Sequence, residues 1–267
     1  MYIENGGGKK MKKKYFFFDI DGTLTDRSTG KIVPSAQKAL DLLQENGHFV
    51  AIATGRAHYK SIHFMEDVGL HNMVCCGGGG LVINDQLIRN IPLDKEKAIA
   101  LANEAHEKGY GYLLQLDDSI DVYAPDDLFR QQCGQRKEPT RYFIDPNLDI
   151  TKVDKILKLY ICIPPEEEDN LTLLNTIGHL RFEPEYFIFQ YDAKKQGILD
   201  MMAEIGGPLE DVVVFGDDTN DVVMTDDRWF SVAMGNAHPA MKQAAKYVTE
   251  ANVDDGIYNA CKKFGWI

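Results

Sequence analysis

The sequence predicts an α/β protein built on a doubly wound parallel sheet, with a smaller α+β domain inserted into it. Short β-branched or aromatic runs alternate with helix-period segments in the first third of the chain, and the alternation returns in the last third. Apolar strands separated by helices are typical of a parallel sheet that is covered on both faces. The middle third instead contains the pattern of a hairpin of two adjacent strands, which indicates a separate domain.

In the first third the predicted order is strand, helix, strand, helix, strand. The elements are strand 15–20, helix 35–46, strand 49–53, helix 58–68 and strand 73–76. Ser35 is expected to cap the first helix just after Pro34, and Asn46 with Gly47 is expected to end it. The last third continues with helix 196–205, strand 212–215, a short helix, strand 230–234, helix 239–245 and strand 247–249.

The inserted α+β domain is predicted over residues 85–190, and residues 1–84 and 191–267 form the discontinuous core domain around it. Its elements are helix 94–108, hairpin strands 112–116 and 120–123, strand 156–163, helix 169–177 and strand 186–191. Adjacent hairpin strands between two α/β segments favour an insertion over a continuous sheet.

Composition restricts the classes of function. The chain has 267 residues, 44% hydrophobic and 26% charged, which is ordinary for a globular protein of one large or two modest domains. Its net charge of −12 argues against a nucleic-acid surface. No apolar run approaches the roughly 18 to 20 residues that span a bilayer, and no signal peptide is evident, so we expect a cytoplasmic protein without a membrane partner.

Two further expectations concern the cysteines and the N-terminus. The five cysteines are an odd number without metal-ligand spacing, and we expect them to be reduced thiols. Residues 1–10, with three glycines, are expected to form a flexible leader, and Met11 is an alternative start. The sequence does not indicate an oligomeric state.

Two aspartates follow the first predicted strand, in the segment Phe-Phe-Phe-Asp-Ile-Asp-Gly-Thr at 16–23. The two-residue period of a strand directs Asp19 and Asp21 to one face, and Gly22 allows the backbone to turn close to a small anion. Two carboxylates directed at one point repel each other, and Mg²⁺ is the simplest cation to place between them. Taken alone, the segment also fits a solvated turn or, less well, part of a calcium loop.

Two other predicted strands end in polar residues. Thr54-Gly55-Arg56 follows the second strand, and Gly-Asp-Asp-Thr-Asn-Asp at 216–221 follows strand 212–215. The carboxyl ends of parallel strands gather at one edge, where such sheets bind ligands. Lys194 and Lys195 precede a helix with one apolar face, and Lys194 lies closer to the centre of that face. A pair of surface lysines is the alternative.

In this order the motifs resemble those of the haloacid dehalogenase (HAD) superfamily, and more narrowly its Cof-type, type IIB sugar-phosphatase-like branch with an inserted C2 cap domain. The resemblance covers nearly the whole chain: residues 19–23 resemble the first motif, 54–56 the second, Lys194 the third and 216–221 the fourth. The family's usual Asn-Gly after the third core strand is replaced by Cys-Gly-Gly-Gly-Gly at 76–80.

The resemblance implies a Mg²⁺-dependent phosphomonoester hydrolase that acts on small phosphate esters, sugar phosphates above all, through an aspartyl-phosphate. It implies Asp19 as nucleophile and Asp21 as acid and base. The implied Mg²⁺ ligands are the side chains of Asp19 and Asp217 and the backbone carbonyl of Asp21. The implied phosphate-binding groups are the Ile20 backbone, Thr54, Gly55, Lys194 and Asn220, with Thr23 and Asp221 in support.

Two alternatives remain open from the sequence. A phosphomutase would use the same aspartates but return the phosphoryl group, and a non-catalytic sugar-phosphate sensor would keep the fold without turnover. In each case the partner is a small phosphate ester, and the resemblance implies that the cap selects it. The candidate selecting residues in the irregular part of the cap are Arg130, Arg136, Arg141 and Tyr142.

Overall fold

The computed structural model describes residues 12–267, and these residues form two compact units. The first holds the described residues up to Ala53 together with Glu66–Asn72 and Ile198–Ile267, and the second holds Thr54–Met65 and Met73–Gly197. All of residues 85–190 fall in the second unit, and their insertion as a cap stays a prediction. The flexible leader and the alternative start at Met11 lie outside the described residues.

The described residues contain fourteen strands and seven α-helices. The strands are β1 (Tyr15–Phe18), β2 (Phe49–Ala53), β3 (Met73–Cys75), β4 (Gly80–Ile83), β5 (Gln86–Asn90), β6 (Tyr112–Gln115), β7 (Asp121–Ala124), β8 (Arg141–Ile144), β9 (Lys158–Cys162), β10 (His179–Glu183), β11 (Tyr186–Phe189), β12 (Val212–Gly216), β13 (Phe230–Ala233) and β14 (Tyr247–Val248). The helices are α1 (Pro34–Glu45), α2 (His58–Asp67), α3 (Lys95–Glu107), α4 (Leu128–Cys133), α5 (Lys194–Ile205), α6 (Pro239–Ala244) and α7 (Gly256–Lys263). Among residues 12–267, none of these helices combines the length and apolar character that a bilayer span needs.

The first unit contains five parallel strands in the order β14-β13-β12-β1-β2. Within this sheet Phe18 of β1 lies between Phe215 of β12 and Ile52 of β2. Phe16, Phe17 and Phe18 are all fully buried, as expected for a strand that is covered on both faces. The predicted α/β class with a parallel sheet is confirmed.

Helix α1 begins one residue earlier than predicted, and the expected cap is wrong. Pro34 occupies the first helical position, and Val33 is the N-cap without a side-chain hydrogen bond. Proline is preorganised for that position because its φ is fixed and its missing N–H would have no helical partner. Ser35 therefore lies inside the helix, where its Oγ makes no hydrogen bond to the described residues. The predicted end is confirmed, since Asn46 is the C-cap.

The second unit is mostly antiparallel. Strands β3, β4 and β5 pair antiparallel in chain order, and six further strands form a sheet in the order β10-β11-β9-β6-β7-β8. Only the β7–β8 pair of this six-stranded sheet is parallel. The predicted hairpin is confirmed, because Leu114 of β6 lies opposite Tyr123 of β7.

The helix predicted over 169–177 is wrong. The segment contains only parts of two short 3₁₀ helices, Pro165–Asn170 and Leu174–Thr176. Between them the Glu104 carboxylate of α3 accepts hydrogen bonds from the backbone N–H groups of Thr172 (2.9 Å) and Leu173 (3.0 Å). These donors are satisfied by a side chain from another helix instead of by helical carbonyls.

The expectation that all five cysteines are reduced is wrong for one pair. Cys133 at the end of α4 and Cys162 at the end of β9 form a disulfide, with their Cα atoms 6.1 Å apart. Packing of α4 near β9 brings together two cysteines that are 29 residues apart in sequence. Cys75, Cys76 and Cys261 are free and buried.

The glycine run at 77–80 packs against the segment that leads into α5. A Cβ on Gly77 would lie 2.0 Å from the carbonyl oxygen of Tyr191, and a Cβ on Gly78 would lie 2.3 Å from that of Ala193. The Ala193 N–H donates a hydrogen bond of 2.7 Å to the Gly77 carbonyl. Both glycines also have positive φ, so no other residue fits there without strain. This contact fixes the chain just before Lys194, where α5 begins.

Replacing Gly78 with alanine should lower the free energy of unfolding by about 3 kcal/mol, because the new Cβ meets backbone that cannot move aside. Gly109→Ala is the matched control: its φ is also positive, at +82°, but nothing lies within 4 Å of the added carbon. The control should lose only about 1 kcal/mol, the cost of the left-handed backbone alone. Urea denaturation measures the unfolding free energy of both variants. Equal losses would contradict a steric role for the contact.

Candidate active site

Three buried carboxylates lie together in the first unit. Asp19 follows β1, and Asp217 and Asp221 follow β12, the neighbouring strand. One carboxylate oxygen from each residue lies within 4.8 Å of the other two. The three residues are 6%, 3% and 0% exposed, respectively. The structure therefore brings together two of the predicted metal ligands and one predicted supporting residue.

Backbone contacts hold the turn after β1 against β12. The Asp19 N–H donates to the Phe215 carbonyl (3.0 Å), which extends the sheet ladder beyond β1. Gly22 has a φ of +89°, and a Cβ there would lie 2.3 Å from Asp217 Oδ2. The turn can approach the carboxylate of Asp217 only because this position lacks a side chain.

The Asp217 carboxylate is bound at both oxygens. Thr23 Oγ1 donates to Oδ1 (2.9 Å), and Arg27 Nη2 donates to Oδ2 (2.8 Å). The same guanidinium nitrogen lies 3.0 Å from Asp218 Oδ2. Burial raises the pKa of Asp217 above its ordinary value, and the Arg27 and Thr23 hydrogen bonds oppose that shift. Sequence reasoning missed Arg27, for which the sequence offers no distinguishing pattern.

Asp221 holds the loop that carries Asp217. Its Oδ2 accepts hydrogen bonds from the backbone N–H groups of Asp217 (3.0 Å) and Asp218 (3.1 Å). Together Asp218 and Asp221 form a capping box on the 3₁₀ helix Thr219–Met224. A Cβ on Gly216 would lie 2.7 Å from the Asp221 Cβ, so this glycine allows the close return of the chain. The geometry gives Asp221 a positioning role.

Sequence reasoning also missed Asn236, which follows β13. Its Nδ2 donates to the Gly22 carbonyl (2.8 Å), and its Oδ1 accepts from the Asn252 N–H (3.0 Å). Asn252 in turn donates through its side chain to the Thr25 carbonyl (2.8 Å). These two amides tie the turn after β1 to the loop before α7. A polar residue soon after another strand of the same sheet was the signal that could have identified Asn236.

The other predicted residues of the first unit differ in exposure. Asp21 is half-buried. The Ile20 side chain is fully buried, so only its backbone can face a ligand, and its carbonyl accepts from the Thr25 N–H (2.9 Å) and Oγ1 (3.0 Å). Asn220 is exposed on the 3₁₀ helix after β12.

The predicted residues Thr54, Gly55 and Lys194 lie in the second unit. Thr54 is buried, its N–H donates to the Val74 carbonyl (2.8 Å), and its Oγ1 accepts from the Arg56 N–H (3.1 Å). Lys194 is buried at the start of α5, whereas Lys195 is half-buried. This difference favours Lys194 over its neighbour as the lysine of a buried site.

A hydrogen-bonded ion pair lies directly after the second motif. His58, the first residue of α2, places its Nδ1 2.6 Å from Asp118 Oδ2, and the Tyr59 N–H donates to Asp118 Oδ1 (3.1 Å). The hydrogen bond to Asp118 raises the pKa of His58 above its ordinary value of 6.5, and burial opposes this. His58 therefore carries more positive charge at neutral pH than a free histidine.

Removing the hydrogen-bond acceptor at position 221 should destabilise the fold. Asp221→Ala leaves two backbone N–H donors of residues 217 and 218 without their partner, which should cost about 3 kcal/mol of unfolding free energy. Asp221→Asn removes the same charge but keeps a side-chain oxygen, and should cost about 1 kcal/mol. Urea denaturation compares the two. If alanine and asparagine cost the same, the hydrogen bonds do not hold this loop.

The ion pair of His58 should make stability depend on pH. Because the folded pKa of His58 is raised, its stabilisation is complete below about pH 6.5 and is lost as pH rises through the folded pKa. Asp118→Asn should therefore lower the unfolding free energy more at about pH 5.5 than at about pH 8.5. The control is Asp126→Asn. Asp126 Oδ2 lies 3.7 Å from His106 Nδ1, and this pair is half-exposed. A pH-independent loss in Asp118→Asn would contradict the assignment.

Known proteins are similar to this chain in sequence and in fold. The family described as haloacid dehalogenase-like hydrolase matches residues 16–261. YkrA of Bacillus subtilis is 29% identical over 254 residues, which cover 93% of this chain and 96% of the relative. The pyridoxal phosphate phosphatase YbhA of Escherichia coli is 28% identical over 265 residues, which cover 90% and 94% of the two chains.

One solved structure shows that the similarity extends to the fold. BT4131, described as a HAD subclass IIB sugar phosphatase, superposes with a TM-score of 0.75 at 27% identity, covering 96% of this chain and 100% of the other. The family match, the phosphatase relatives and the shared fold agree with the motifs described above. This chain therefore belongs to the haloacid dehalogenase-like hydrolases and is a phosphatase of their Cof-type, type IIB branch.

Proposed function

We propose that this phosphatase hydrolyses small phosphate monoesters such as sugar phosphates, with Mg²⁺ as cofactor and an aspartyl-phosphate as intermediate. The observation that carries the proposal is the group of buried carboxylates of Asp19, Asp217 and Asp221, with oxygens within 4.8 Å of one another. Carboxylates this close repel each other, and a hard divalent cation with oxygen ligands relieves the repulsion. The sugar phosphatase and pyridoxal phosphate phosphatase among its relatives support small phosphate esters as the substrate class.

The side chains of Asp19 and Asp217 and the backbone carbonyl of Asp21 would hold the Mg²⁺. All three are oxygen donors, which suits this ion. When bound, Mg²⁺ would screen the repulsion between the Asp19 carboxylate and an anionic phosphate.

Asp19 would attack phosphorus while the bond from phosphorus to the ester oxygen breaks. Asp21 would donate a proton to the departing alcohol. Water would then attack the phosphorus of the acyl phosphate, with Asp21 accepting its proton, and this step would release inorganic phosphate and free Asp19. The burial of Asp19 supports a site from which bulk water is largely excluded.

Hydrogen-bond donors would bind the phosphoryl oxygens. The proposed donors are the Thr54 hydroxyl, the Gly55 N–H, the Lys194 ammonium, the Ile20 backbone and the Asn220 amide. Buried donors such as Thr54 and Lys194 interact more strongly with an anion than exposed ones do, because less water screens them.

Asp19→Asn should reduce Mg²⁺-dependent phosphate release from p-nitrophenyl phosphate by at least about a thousandfold, because an amide cannot act as the nucleophile. Asp26→Asn is the matched control: Asp26 lies in the same segment, but its carboxylate accepts hydrogen bonds from Ser28 and Thr29. The control should keep activity within about twofold. Chelation with EDTA should abolish the wild-type activity, and added Mg²⁺ should restore it.

Full activity in Asp19→Asn would overturn the covalent mechanism, and full activity after thorough chelation would overturn the cofactor. A wild-type protein that is inert toward a broad panel of phosphate esters with Mg²⁺ present would favour the non-catalytic sensor. A requirement for a bisphosphate activator would favour the phosphomutase.

A further inference from the structure

Arg27 binds a carboxylate that is proposed to hold Mg²⁺, and the proposed mechanism gives this arginine no role. It follows β1 in the first unit, and its Nη2 donates to Asp217 Oδ2 at 2.8 Å. The Asp217 side chain is only 3% exposed, whereas that of Arg27 is 54% exposed. A positive charge therefore reaches from the surface onto a buried carboxylate.

The two side-chain donors on Asp217 differ in charge. Thr23 Oγ1, which donates to Oδ1 at 2.9 Å, is neutral. Because a carboxylate oxygen can accept a second partner beside such a donor, Thr23 is compatible with a metal ion on the same residue. The guanidinium of Arg27 is a permanent cation, since arginine keeps its proton in proteins. Two cations on one carboxylate repel each other.

The Arg27 guanidinium also lies against the turn after β1. A Cβ on Gly22 would lie 2.4 Å from Arg27 Nε. The guanidinium is therefore close both to an oxygen of Asp217 and to the residue that follows Asp21. The Asp217 side chain and the Asp21 carbonyl are two of the three proposed Mg²⁺ ligands, so Arg27 lies where a bound cation would repel it.

Asp218 offers Arg27 a second place to bind. Arg27 Nη2 lies 3.0 Å from Asp218 Oδ2, and the Asp218 side chain is 45% exposed. The other oxygen of this carboxylate accepts from the Thr219 N–H at 2.7 Å, which fixes its position. Arg27 can therefore leave Asp217 and remain in an ion pair, and rearranging an exposed pair costs little.

A purely structural ion pair and a competing one differ in the sign of their effect on Mg²⁺ binding. If Arg27 only held Asp217 in place, its removal would displace a metal ligand and weaken the binding of the ion. If Arg27 competes for the carboxylate, its removal strengthens that binding. The contacts favour competition, because Asp217 is also held by Thr23 at Oδ1 and by Asp221 at its backbone N–H.

We propose that Arg27 competes with Mg²⁺ for the Asp217 carboxylate and so sets the affinity of the active site for this ion. Arg27 yields Oδ2 to the incoming ion and stays paired with Asp218. Occupancy of the site by Mg²⁺ therefore requires a higher free Mg²⁺ concentration than it would without Arg27. The inference rests on the proposed function, because it takes Asp217 as a Mg²⁺ ligand.

Titration calorimetry with magnesium chloride alone tests this competition without turnover. Arg27→Met should lower the Mg²⁺ dissociation constant by about fivefold or more, because it removes the competing charge. Arg27→Gln also lacks the charge and should do the same, whereas Arg27→Lys keeps it and should stay within about twofold of the wild type. The matched control is Arg228→Met: Arg228 is 49% exposed and pairs with Asp226 at 2.7 Å. The control should leave the dissociation constant within about twofold of the wild type.

Urea denaturation gives a second readout. A ligand that binds only the folded protein stabilises it more when it binds more tightly. Arg27→Met should therefore lose less unfolding free energy, relative to the wild type, in saturating Mg²⁺ than in EDTA. Arg228→Met should lose the same amount in both conditions.

Equal or weaker Mg²⁺ binding by Arg27→Met and Arg27→Gln, with binding by the wild type, overturns the inference while the proposed cofactor stands. A wild-type protein that binds no Mg²⁺ and stays active in EDTA overturns both. Tighter Mg²⁺ binding by the two neutral variants, without hydrolysis of any phosphate ester by the wild type, supports the inference and overturns the proposed function.

Discussion

Negative charge concentrated at one edge of a parallel sheet is the constraint on which the rest of the site depends. At about 4 Å, two carboxylates repel by roughly 4 kcal/mol in a partly buried setting, so each must be compensated. Asp217 is bound by Arg27 and Thr23, and Asp221 accepts two backbone N–H groups. The conformations of the loops after β1 and β12 therefore depend on charge compensation as much as on packing.

The sequence predicted those parts of the fold that depend on local pattern. Strand β1 was identified because a run of three phenylalanines indicates a strand that is buried on both faces, and all three are buried. The predicted strand 49–53 matches β2. The convergence of Asp19 and Asp217 followed from the rule that parallel strands end at one edge. Arg27 could not be inferred, because its contact with Asp217 spans 190 positions and leaves no periodic signal.

The missed elements share a physical cause, which is that tertiary contacts outweigh local preference. Strand β8 is at the edge of its sheet and three of its four residues are exposed, so its side chains show no alternation of polar and apolar character. The segment after residue 170 is fixed by Glu104 from α3 and not by its own helical tendency. The Cys133–Cys162 disulfide likewise joins two elements that only the folded chain brings together.

Three glycines limit which substitutions this chain can accept. Gly22 approaches an Asp217 oxygen, and Gly77 and Gly78 approach backbone oxygens of the chain before Lys194. None of the three carries a side chain that could touch a substrate. Neutral drift is nevertheless not expected at these positions, because any substitution adds a Cβ atom where another atom already lies. Such positions can be as intolerant of substitution as a nucleophile while having no chemistry of their own.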